Sequence, residues 1–363
     1  MSEPGRDSVL FELQPVVGGR FLAIAALNRP ARLNALNLEM CRLLLEQFHA
    51  WASDESIVAI LLVGAGAKGF CAGGDVAEVV RQIRAGGAGR FVYGDQFFRT
   101  EYQLNLLMHE YPKPIIAFAH GVCMGGGLGL FAGASHRIVS DQAKLAMPEI
   151  HIGLFPDVGG GYFLNQMPGN AGRLLATTGL VINEADALFG GLADFFWPIE
   201  ERTKLIQGLA QLEWSGEVRL DSGRLSHWLL MASRKYASGL PTSNLRQYFD
   251  AIRFMTAIPS AVGLRDALLA AAREDPWFQT PLDNLMHGSP TSAVLILEYL
   301  RRCKKRSIRQ VLELDLTVAK HCQRSHDFPE GVRALLIDKD RKPQWSPDRL
   351  EAVESMAVSA YFQ

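Results

Sequence analysis

Two clusters of glycine, each placed between a strand-like apolar run and a helix-like run, limit the folds open to this chain. They are Cys71-Ala72-Gly73-Gly74-Asp75 and Met124-Gly125-Gly126-Gly127. A glycine at such a junction lets backbone N–H groups approach a ligand, because no Cβ stands in the way. If the two strands are neighbours, one N–H from each loop can point at a single oxygen and stabilise an oxyanion. The competing interpretation is that both loops are tight turns where helices pack closely on strands.

Apolar runs of strand composition alternate with helical periodicity around these clusters. Six strands are predicted, at residues 9–13, 21–27, 58–63, 115–119, 137–140 and 144–146. A helix is predicted to begin near Asn37, a good N-cap, and a capping box of Asp75 and Glu78 predicts another. Such alternation predicts an α/β core with parallel strands.

Strand patterns fade beyond about residue 199, and helical periodicity dominates to the end of the chain. A boundary is therefore predicted near Trp197-Pro198. It separates an α/β core, residues 8–198, from a mainly helical region, residues 199–363. A length of 363 residues with 48% hydrophobic residues is compatible with this division.

Charge and cysteine content exclude several classes of protein. The 37 Lys and Arg residues balance 38 Asp and Glu residues, which argues against a nucleic-acid binder that relies on bulk positive charge. No apolar run reaches the roughly 18 residues that a membrane-spanning helix needs. Five cysteines without C-x-x-C spacing indicate a reduced chain with no zinc site. Because residues 1–7 resemble neither a secretory signal nor a transit peptide, the cytoplasm is the expected location.

A dinucleotide fingerprint, Gly64-x-Gly66-x-x-Gly69, follows one predicted strand. That fingerprint should open a helix that holds a pyrophosphate, but Phe70-Cys71-Ala72-Gly73-Gly74 is a poor helix sequence. Binding of a nicotinamide or flavin dinucleotide is therefore disfavoured. A Walker A loop is excluded as well, because Lys68 is followed by Gly69 and not by Ser or Thr.

Two acids, Glu149 and Asp157, lie in an otherwise apolar stretch punctuated by glycine and proline. Asp157 precedes Val158-Gly159-Gly160 and is open to interpretation as a helix N-cap, and either acid as a solvated residue. The alternative is a pair of carboxyls in an apolar cleft, where burial and mutual repulsion favour a bound proton. The sequence leaves both interpretations open.

The quoted motifs, taken together, are similar to those of the crotonase (enoyl-CoA hydratase/isomerase) superfamily. The matching segments are Leu27-Asn28-Arg29-Pro30, Leu33-Asn34-Ala35-Leu36-Asn37, Phe70-Cys71-Ala72-Gly73-Gly74-Asp75, His120-Gly121-x-x-Met124-Gly125-Gly126-Gly127 and Pro148-Glu149-x-x-Ile152-Gly153. Residues 152–163 and three distal segments resemble the 3-hydroxyisobutyryl-CoA hydrolase branch. Those distal segments are Ser289-Pro290-Thr291-Ser292, residues 326–334 and residues 338–345.

This resemblance implies a spiral of repeated ββα units, a coenzyme A thioester as substrate, and no separate cofactor or metal. It implies an oxyanion hole from the N–H groups of Gly74 and Gly126, with Gly126 also touching the substrate. Arg29, Ala72, Gly73 and Asp75 would contact coenzyme A. Glu149 would be the catalytic carboxylate, Asp157 would hold the 3-hydroxyl or shuttle protons, and Glu101 would help to bind the substrate.

One position separates the branches of this superfamily. The hydratases carry a second glutamate where this chain has Gly129, and a glycine cannot transfer a proton. Hydration is therefore disfavoured, and the resemblance to the hydrolase branch implies hydrolysis of a short 3-hydroxyacyl-CoA, as in valine catabolism. The alternatives are an enoyl-CoA hydratase or isomerase and a non-catalytic acyl-CoA binder. The resemblance also leaves room for a homo-oligomer.

Overall fold

The computed structural model describes residues 8–363, so the expectation drawn from residues 1–7 lies outside the described residues. Nine strands run along the described chain: β1 Val9–Pro15, β2 Phe21–Leu27, β3 Ile57–Gly64, β4 Gly69–Cys71, β5 Ile115–Ala119, β6 Val122–Met124, β7 His136–Val139, β8 Lys144–Ala146 and β9 Phe195–Phe196. The six predicted strands are present. β4, β6 and β9 were not predicted, and β4 lies where a glycine-rich loop was expected.

Seventeen α-helices belong to residues 8–363. They are α1 Leu38–Ser53, α2 Val76–Ala85, α3 Val92–His109, α4 Gly126–Ala132, α5 Gly160–Phe163, α6 Ala171–Thr178, α7 Glu184–Phe189, α8 Arg202–Gln211, α9 Val218–Ser233, α10 Asn244–Gln247, α11 Phe249–Thr256, α12 Ala261–Glu274, α13 Gln279–His287, α14 Pro290–Cys303, α15 Ile308–Arg324, α16 Asp327–Val332 and α17 Ser355–Ser359. None of them is long and apolar enough to cross a membrane.

Two helix starts were predicted from capping residues. Asn37 caps α1 as predicted, since its side chain accepts a hydrogen bond from the amide of Met40 at 2.9 Å. The capping box at α2 is wrong. Asp75 stands at the N-cap position, but its side chain makes no capping hydrogen bond. Glu78 instead accepts hydrogen bonds from Arg81 and Gln82 on its own helix.

The strands form two sheets. One has the order β1-β2-β3-β5-β7-β9, in which only the β1–β2 pair is antiparallel, and the other has the order β4-β6-β8. The chain alternates between them, because β3, β5 and β7 lie in the larger sheet and β4, β6 and β8 follow in the smaller one. Each pair of strands leads into a helical segment. The result is a spiral of ββα units.

By packing, the described chain forms two compact units, each assembled from three stretches. The first contains the chain up to Gly74, Gln103–Leu145 and Ile182–Ser243, and the second contains Asp75–Tyr102, Ala146–Val181 and Asn244–Gln363. Apolar residues of α8 and α9, such as Leu205 and Leu225, belong to the core cluster of the first unit together with strand residues such as Leu61. The predicted boundary at residue 198 marks the end of the strands, whereas packing divides the chain elsewhere.

Candidate active site

The two glycine loops both belong to the first unit, and they leave neighbouring strands. β4 and β6 pair in parallel, so both strands end at the same edge of the small sheet. Gly73 has φ +109°, a conformation that favours glycine. A Cβ on Gly73 would lie 3.5 Å from the amide nitrogen of Gly126. The loops that carry Gly74 and Gly126 therefore run side by side, as an oxyanion hole requires.

Close packing explains part of this glycine pattern. A Cβ on Gly127 would lie 2.3 Å from the carbonyl oxygen of Cys71, so α4 approaches β4 more closely than any side chain allows. The tight-turn interpretation therefore applies to Gly127. It does not account for Gly126, which opens α4 and whose N–H, like others of a first helical turn, has no carbonyl partner within the helix.

The segment around Arg29 is tied to the first glycine loop. The amide of Ala72 donates to the carbonyl of Leu33 at 2.9 Å, and the amide of Leu36 donates to the carbonyl of Gly73 at 2.8 Å. The guanidinium of Arg29 donates to the carbonyl of Ala35 at 2.6 Å. Three of the four residues predicted to contact coenzyme A, namely Arg29, Ala72 and Gly73, thus share one loop assembly. Asp75 is the first residue of the second unit.

The three predicted acids, Glu101, Glu149 and Asp157, belong to the second unit. Each of them is at most 5% exposed, so the interpretation as solvated residues is wrong. Asp157 is not a helix cap either, because α5 begins at Gly160 with Gly159 at the N-cap position. The charge of Asp157 raises the pKa of both Glu101 and Glu149, which places the three carboxyls in one cluster.

Burial is the largest cause of the raised pKa values in this cluster. It raises the pKa of Glu149 and of Glu101 well above their usual range. It also raises the pKa of Asp157 to about 7, although the hydrogen bond from Tyr102 acts in the opposite direction. At neutral pH the cluster therefore carries fewer negative charges than it has carboxyls, and protons are available for transfer.

Two oxygens of the cluster have no hydrogen-bond partner within residues 8–363. They are Oε1 of Glu101 and Oε2 of Glu149, and both are buried. A buried polar atom without a partner destabilises the folded state by roughly 1–3 kcal/mol. Such atoms are uncommon in folded proteins, and in a cluster of carboxyls with raised pKa values they fit a site whose hydrogen bonding a ligand completes.

The turn that carries Glu149 is held by residues far along the chain. The amide of Ser289 donates to the carbonyl of Ile150 at 2.9 Å, and its hydroxyl donates to Asp327 at 2.6 Å. Gly153 has φ +67°, and a Cβ there would lie 2.3 Å from the carbonyl oxygen of Asp327. Ser289 and Asp327 belong to the distal segments on which the family resemblance depends.

The turn that carries Asp157 is strained and is held in a similar way. Val158 has φ +51°, which is rare for a β-branched residue and costs on the order of 1–3 kcal/mol. The amide of Gly159 donates to Asp315 at 2.8 Å, and the amide of Gly161 donates to the hydroxyl of Tyr299 at 3.0 Å. Such strain persists only where surrounding contacts fix the backbone.

A profile of the enoyl-CoA hydratase/isomerase family matches residues 22–362, which is nearly the whole chain. The chain belongs to this family. The mitochondrial 3-hydroxyisobutyryl-CoA hydrolase of Xenopus tropicalis is 36% identical over 339 residues, 93% of this chain and 86% of that protein. The protein of the same name from Homo sapiens is 33% identical over 357 residues, 98% of this chain and 89% of that protein.

Two solved structures of the enoyl-CoA hydratase/isomerase family cover almost all of the chain. A carnitinyl-CoA dehydratase from Mycobacterium thermoresistibile is 32% identical with a TM-score of 0.85, covering 99% of this chain and 96% of its own. An enoyl-CoA hydratase from Rhodobacter sphaeroides 2.4.1 is 32% identical with a TM-score of 0.82, covering 97% and 96%. The family and the spiral fold predicted from the sequence are therefore confirmed.

The position at which the family resemblance places a second glutamate in hydratases lies in α4. Gly129 is buried there with the rest of the helix, so α4 carries no carboxyl at that position. No group of three or more His, Cys, Asp or Glu side chains in residues 8–363 is arranged to hold a metal ion.

Three residues that bind Asp157 or the turn that carries it were missed by sequence analysis. The hydroxyl of Tyr102 donates to Asp157 at 2.5 Å, and the hydroxyl of Tyr299 donates to Asp315 at 2.5 Å. Tyr102 directly follows the predicted residue Glu101, and this adjacency is the signal that could have identified it. Tyr299 and Asp315 lie on helices α14 and α15, where an apolar periodicity identifies a buried face and does not identify the partners of its polar members.

Proposed function

We propose that this chain hydrolyses a short 3-hydroxyacyl-CoA thioester, 3-hydroxyisobutyryl-CoA before others, to the free hydroxy acid and coenzyme A. The observation that carries the proposal is the buried cluster of Glu149 and Asp157, combined with glycine at position 129. Relatives named 3-hydroxyisobutyryl-CoA hydrolase at 33–36% identity over at least 93% of the chain support it. We assign this reaction to valine catabolism, as the family resemblance implies.

Attack on the thioester is assigned to Glu149. It either bonds to the thioester carbon and expels the coenzyme A thiolate to form a mixed anhydride, which a water then hydrolyses, or it takes a proton from a water that attacks the same carbon and expels that thiolate. In both routes the thiolate takes up a proton and leaves as free coenzyme A. Both routes place negative charge on the thioester oxygen, and the N–H groups of Gly74 and Gly126 stabilise that charge. Both routes end with the acid, free coenzyme A and an unchanged Glu149.

The proposed mechanism needs different protonation states of the two acids, although burial raises the pKa of both. Because the charge of Asp157 contributes to the raised pKa of Glu149, a proton on Asp157 favours the ionised form of Glu149. The active state then pairs an ionised Glu149 with a protonated Asp157. In that state Asp157 donates a hydrogen bond to the 3-hydroxyl or a proton to the departing thiolate.

Binding of the substrate is assigned to further residues. The unpartnered oxygen of Glu101 accepts a hydrogen bond from the acyl part. Arg29, Ala72, Gly73 and Asp75 contact the coenzyme A part, which belongs to the substrate, and no other cofactor is required. Nucleic acid and membrane have no part in this function.

A second candidate is hydration of an enoyl-CoA, since the two solved structures that cover most of the chain are named a dehydratase and a hydratase. Glu101 favours it, because this buried glutamate shares a cluster with Glu149 and replaces the acid missing at position 129. Gly129 itself opposes the usual arrangement of two acids.

Thiol release tests the proposal directly. Purified protein is given 3-hydroxyisobutyryl-CoA, 3-hydroxypropionyl-CoA, isobutyryl-CoA and crotonyl-CoA, and hydration of crotonyl-CoA is followed in parallel. Thiol release with a preference for the two hydroxyacyl substrates is expected. Hydration without thiol release would establish the second candidate, and binding without either reaction would leave a non-catalytic acyl-CoA binder.

Location and assembly complete the proposal. All five cysteines are buried and none forms a disulfide bond, which fits a reducing compartment. We assign the chain to the cytoplasm, and fractionation of cells distinguishes it from the mitochondrial location that several relatives' names carry. A homo-oligomer is one of the assemblies open to the chain, and light scattering coupled to gel filtration measures the oligomeric state.

A further inference from the structure

We propose that Tyr299 and Asp315 are positioning residues: they hold the turn that carries Asp157 and thereby set the preference for a 3-hydroxyacyl group over a plain acyl group. This inference rests on the proposed function, in which Asp157 contacts the 3-hydroxyl. Neither residue is assigned to contact the substrate.

The contacts form a continuous chain of hydrogen bonds within the second unit. The amide of Gly161 donates to the hydroxyl of Tyr299 at 3.0 Å, and that hydroxyl donates to Oδ1 of Asp315 at 2.5 Å. The other carboxylate oxygen, Oδ2, accepts from the amide of Gly159 at 2.8 Å. Two amides of the turn are thus fixed by two side chains that are themselves linked, and both side chains are 0% exposed.

The turn needs this support because its own sequence opposes its shape. Val158 adopts φ +51°, in the region that β-branched residues rarely enter. Asp157, immediately before it, is oriented by the hydroxyl of Tyr102 on one side. Without the anchors at Gly159 and Gly161, Val158 relaxes to an ordinary conformation and the carboxyl of Asp157 turns away from its position.

The close approach of α14 gives the anchor its rigidity. A Cβ on Gly161 would lie 2.7 Å from the hydroxyl of Tyr299 and 2.4 Å from Sγ of Cys303. The ring of Tyr299 also packs edge-on against Phe155, with 4.8 Å between the ring centroids. Packing against Gly161 and against the ring of Phe155 therefore restricts where the hydroxyl of Tyr299 can lie.

The variants Tyr299→Phe and Asp315→Asn test the proposal, because each keeps the shape of the side chain. The measured quantity is the ratio of kcat/KM for 3-hydroxyisobutyryl-CoA to kcat/KM for isobutyryl-CoA. We expect this ratio to fall roughly tenfold in each variant, which is the size of effect expected for one lost hydrogen bond. In an Asp157→Asn background, neither change should lower the ratio further, since residues that act through one group are not additive.

The matched control is Tyr248→Phe, which removes a tyrosine hydroxyl that donates to a different aspartate, Asp275, at 2.8 Å. The ratio should not change in this variant. A ratio that falls equally in the control, or that stays constant while both substrates lose activity in parallel with Tm, would overturn the proposal in favour of a general structural role.

Amide hydrogen exchange of residues 157–161, measured by mass spectrometry, tests the anchoring of the turn independently of enzyme activity. Faster exchange in Tyr299→Phe than in Tyr248→Phe supports the anchoring of the turn, and equal exchange overturns it. If the wild-type protein releases no thiol from any substrate, the proposed function is overturned, and with it the effect on specificity. The exchange data would still test whether Tyr299 and Asp315 hold the turn.

Discussion

The glycine loops, which carry Gly74 and Gly126, and the acid turns, which carry Glu149 and Asp157, are held in shape by different contacts. The glycine loops are shaped by backbone packing against close neighbours, such as the approach of Gly73 to Gly126 and of Gly127 to Cys71. The acid turns are shaped by side chains that lie far away in sequence. Gly159 and Asp315 are 156 residues apart, and Gly161 and Tyr299 are 138 residues apart.

This difference separates two kinds of contribution to catalysis. In the proposed function, backbone N–H groups of the glycine loops act on the thioester oxygen, which every acyl-CoA shares, so the loops should serve all substrates alike. The same proposal assigns the carboxyls to the reacting carbon and to the acyl group, so the turns should carry both the chemistry and the selectivity. Changes in the two regions should therefore have distinguishable effects.

The largest effect is expected from Glu149→Gln, because it removes the group assigned to the attack. Thiol release should fall about 10³-fold, since amide oxygens are poor bases and nucleophiles. The matched control is Glu184→Gln, another buried glutamate whose pKa is raised by burial. Near-normal activity is expected for the control. Equal losses in both would mean that burial of a glutamate, and not its chemistry, explains the effect.

Gly73→Ala should have the next largest effect. The new Cβ lies 3.2 Å from the carbonyl oxygen of Met124 in a backbone conformation that disfavours alanine, so the amide of Gly126 is displaced. Activity should fall about 100-fold, as for loss of one oxyanion donor, and equally for all acyl groups. Gly19→Ala is the control, since Gly19 also has positive φ but no heavy atom within 4 Å of its Cβ. A selective loss for hydroxyacyl substrates would contradict the proposed division of roles.

Asp157→Ala should change selectivity more than it changes the basal rate. If Asp157 contacts the 3-hydroxyl, activity on 3-hydroxyisobutyryl-CoA should fall at least tenfold more than activity on isobutyryl-CoA, in the range of a lost polar contact. Steady-state kinetics on both substrates measure the difference. Equal losses would assign Asp157 to general catalysis and remove the selectivity from the acid turns.

The same difference explains what could be predicted from sequence. The glycine clusters, the strand at 21–27 and the cap at Asn37 follow from local patterns, and they are found in the structure. Strand β4 was missed, because Gly69–Cys71 has weak strand character of its own and is specified by pairing with β6. The packing of α8 on the first unit was missed as well, since periodicity identifies an apolar face and not the surface it meets.

The candidate site follows the same rule. Glu149 and Asp157 were identifiable as carboxyls in an apolar stretch, and the structure shows both to be buried. Tyr299 and Asp315 were not identifiable, because a hydrogen bond across more than a hundred residues leaves no periodic pattern near either partner. Local steric requirements can be predicted from a sequence, whereas hydrogen bonds between polar side chains of distant segments are seen only in the folded chain.

The smallest effect concerns stability and its dependence on pH. The folded-state pKa of Asp157, about 7, lies above its ordinary value of 3.8. Below about pH 4 both the folded and the unfolded chain hold this proton, but between pH 4 and 7 only the folded chain does. The contribution of this proton to the free energy of unfolding is therefore lost as pH rises from about 4 to about 7. Asp157→Asn removes this titration. The change that the variant causes in the free energy of unfolding should therefore be more stabilising at pH 8 than at pH 5, by on the order of 2 kcal/mol.

Gly127→Ala provides the contrast in the glycine loops. Its Cβ collides with the carbonyl oxygen of Cys71, so it should lower stability by about 1–3 kcal/mol through overpacking. Because no titratable group takes part in that collision, the loss should be the same at pH 5 and pH 8. Urea unfolding of both variants and of the wild type at the two pH values measures the difference. A pH-independent effect of Asp157→Asn would mean that the acid turns, like the glycine loops, are shaped by packing and not by a buried charge.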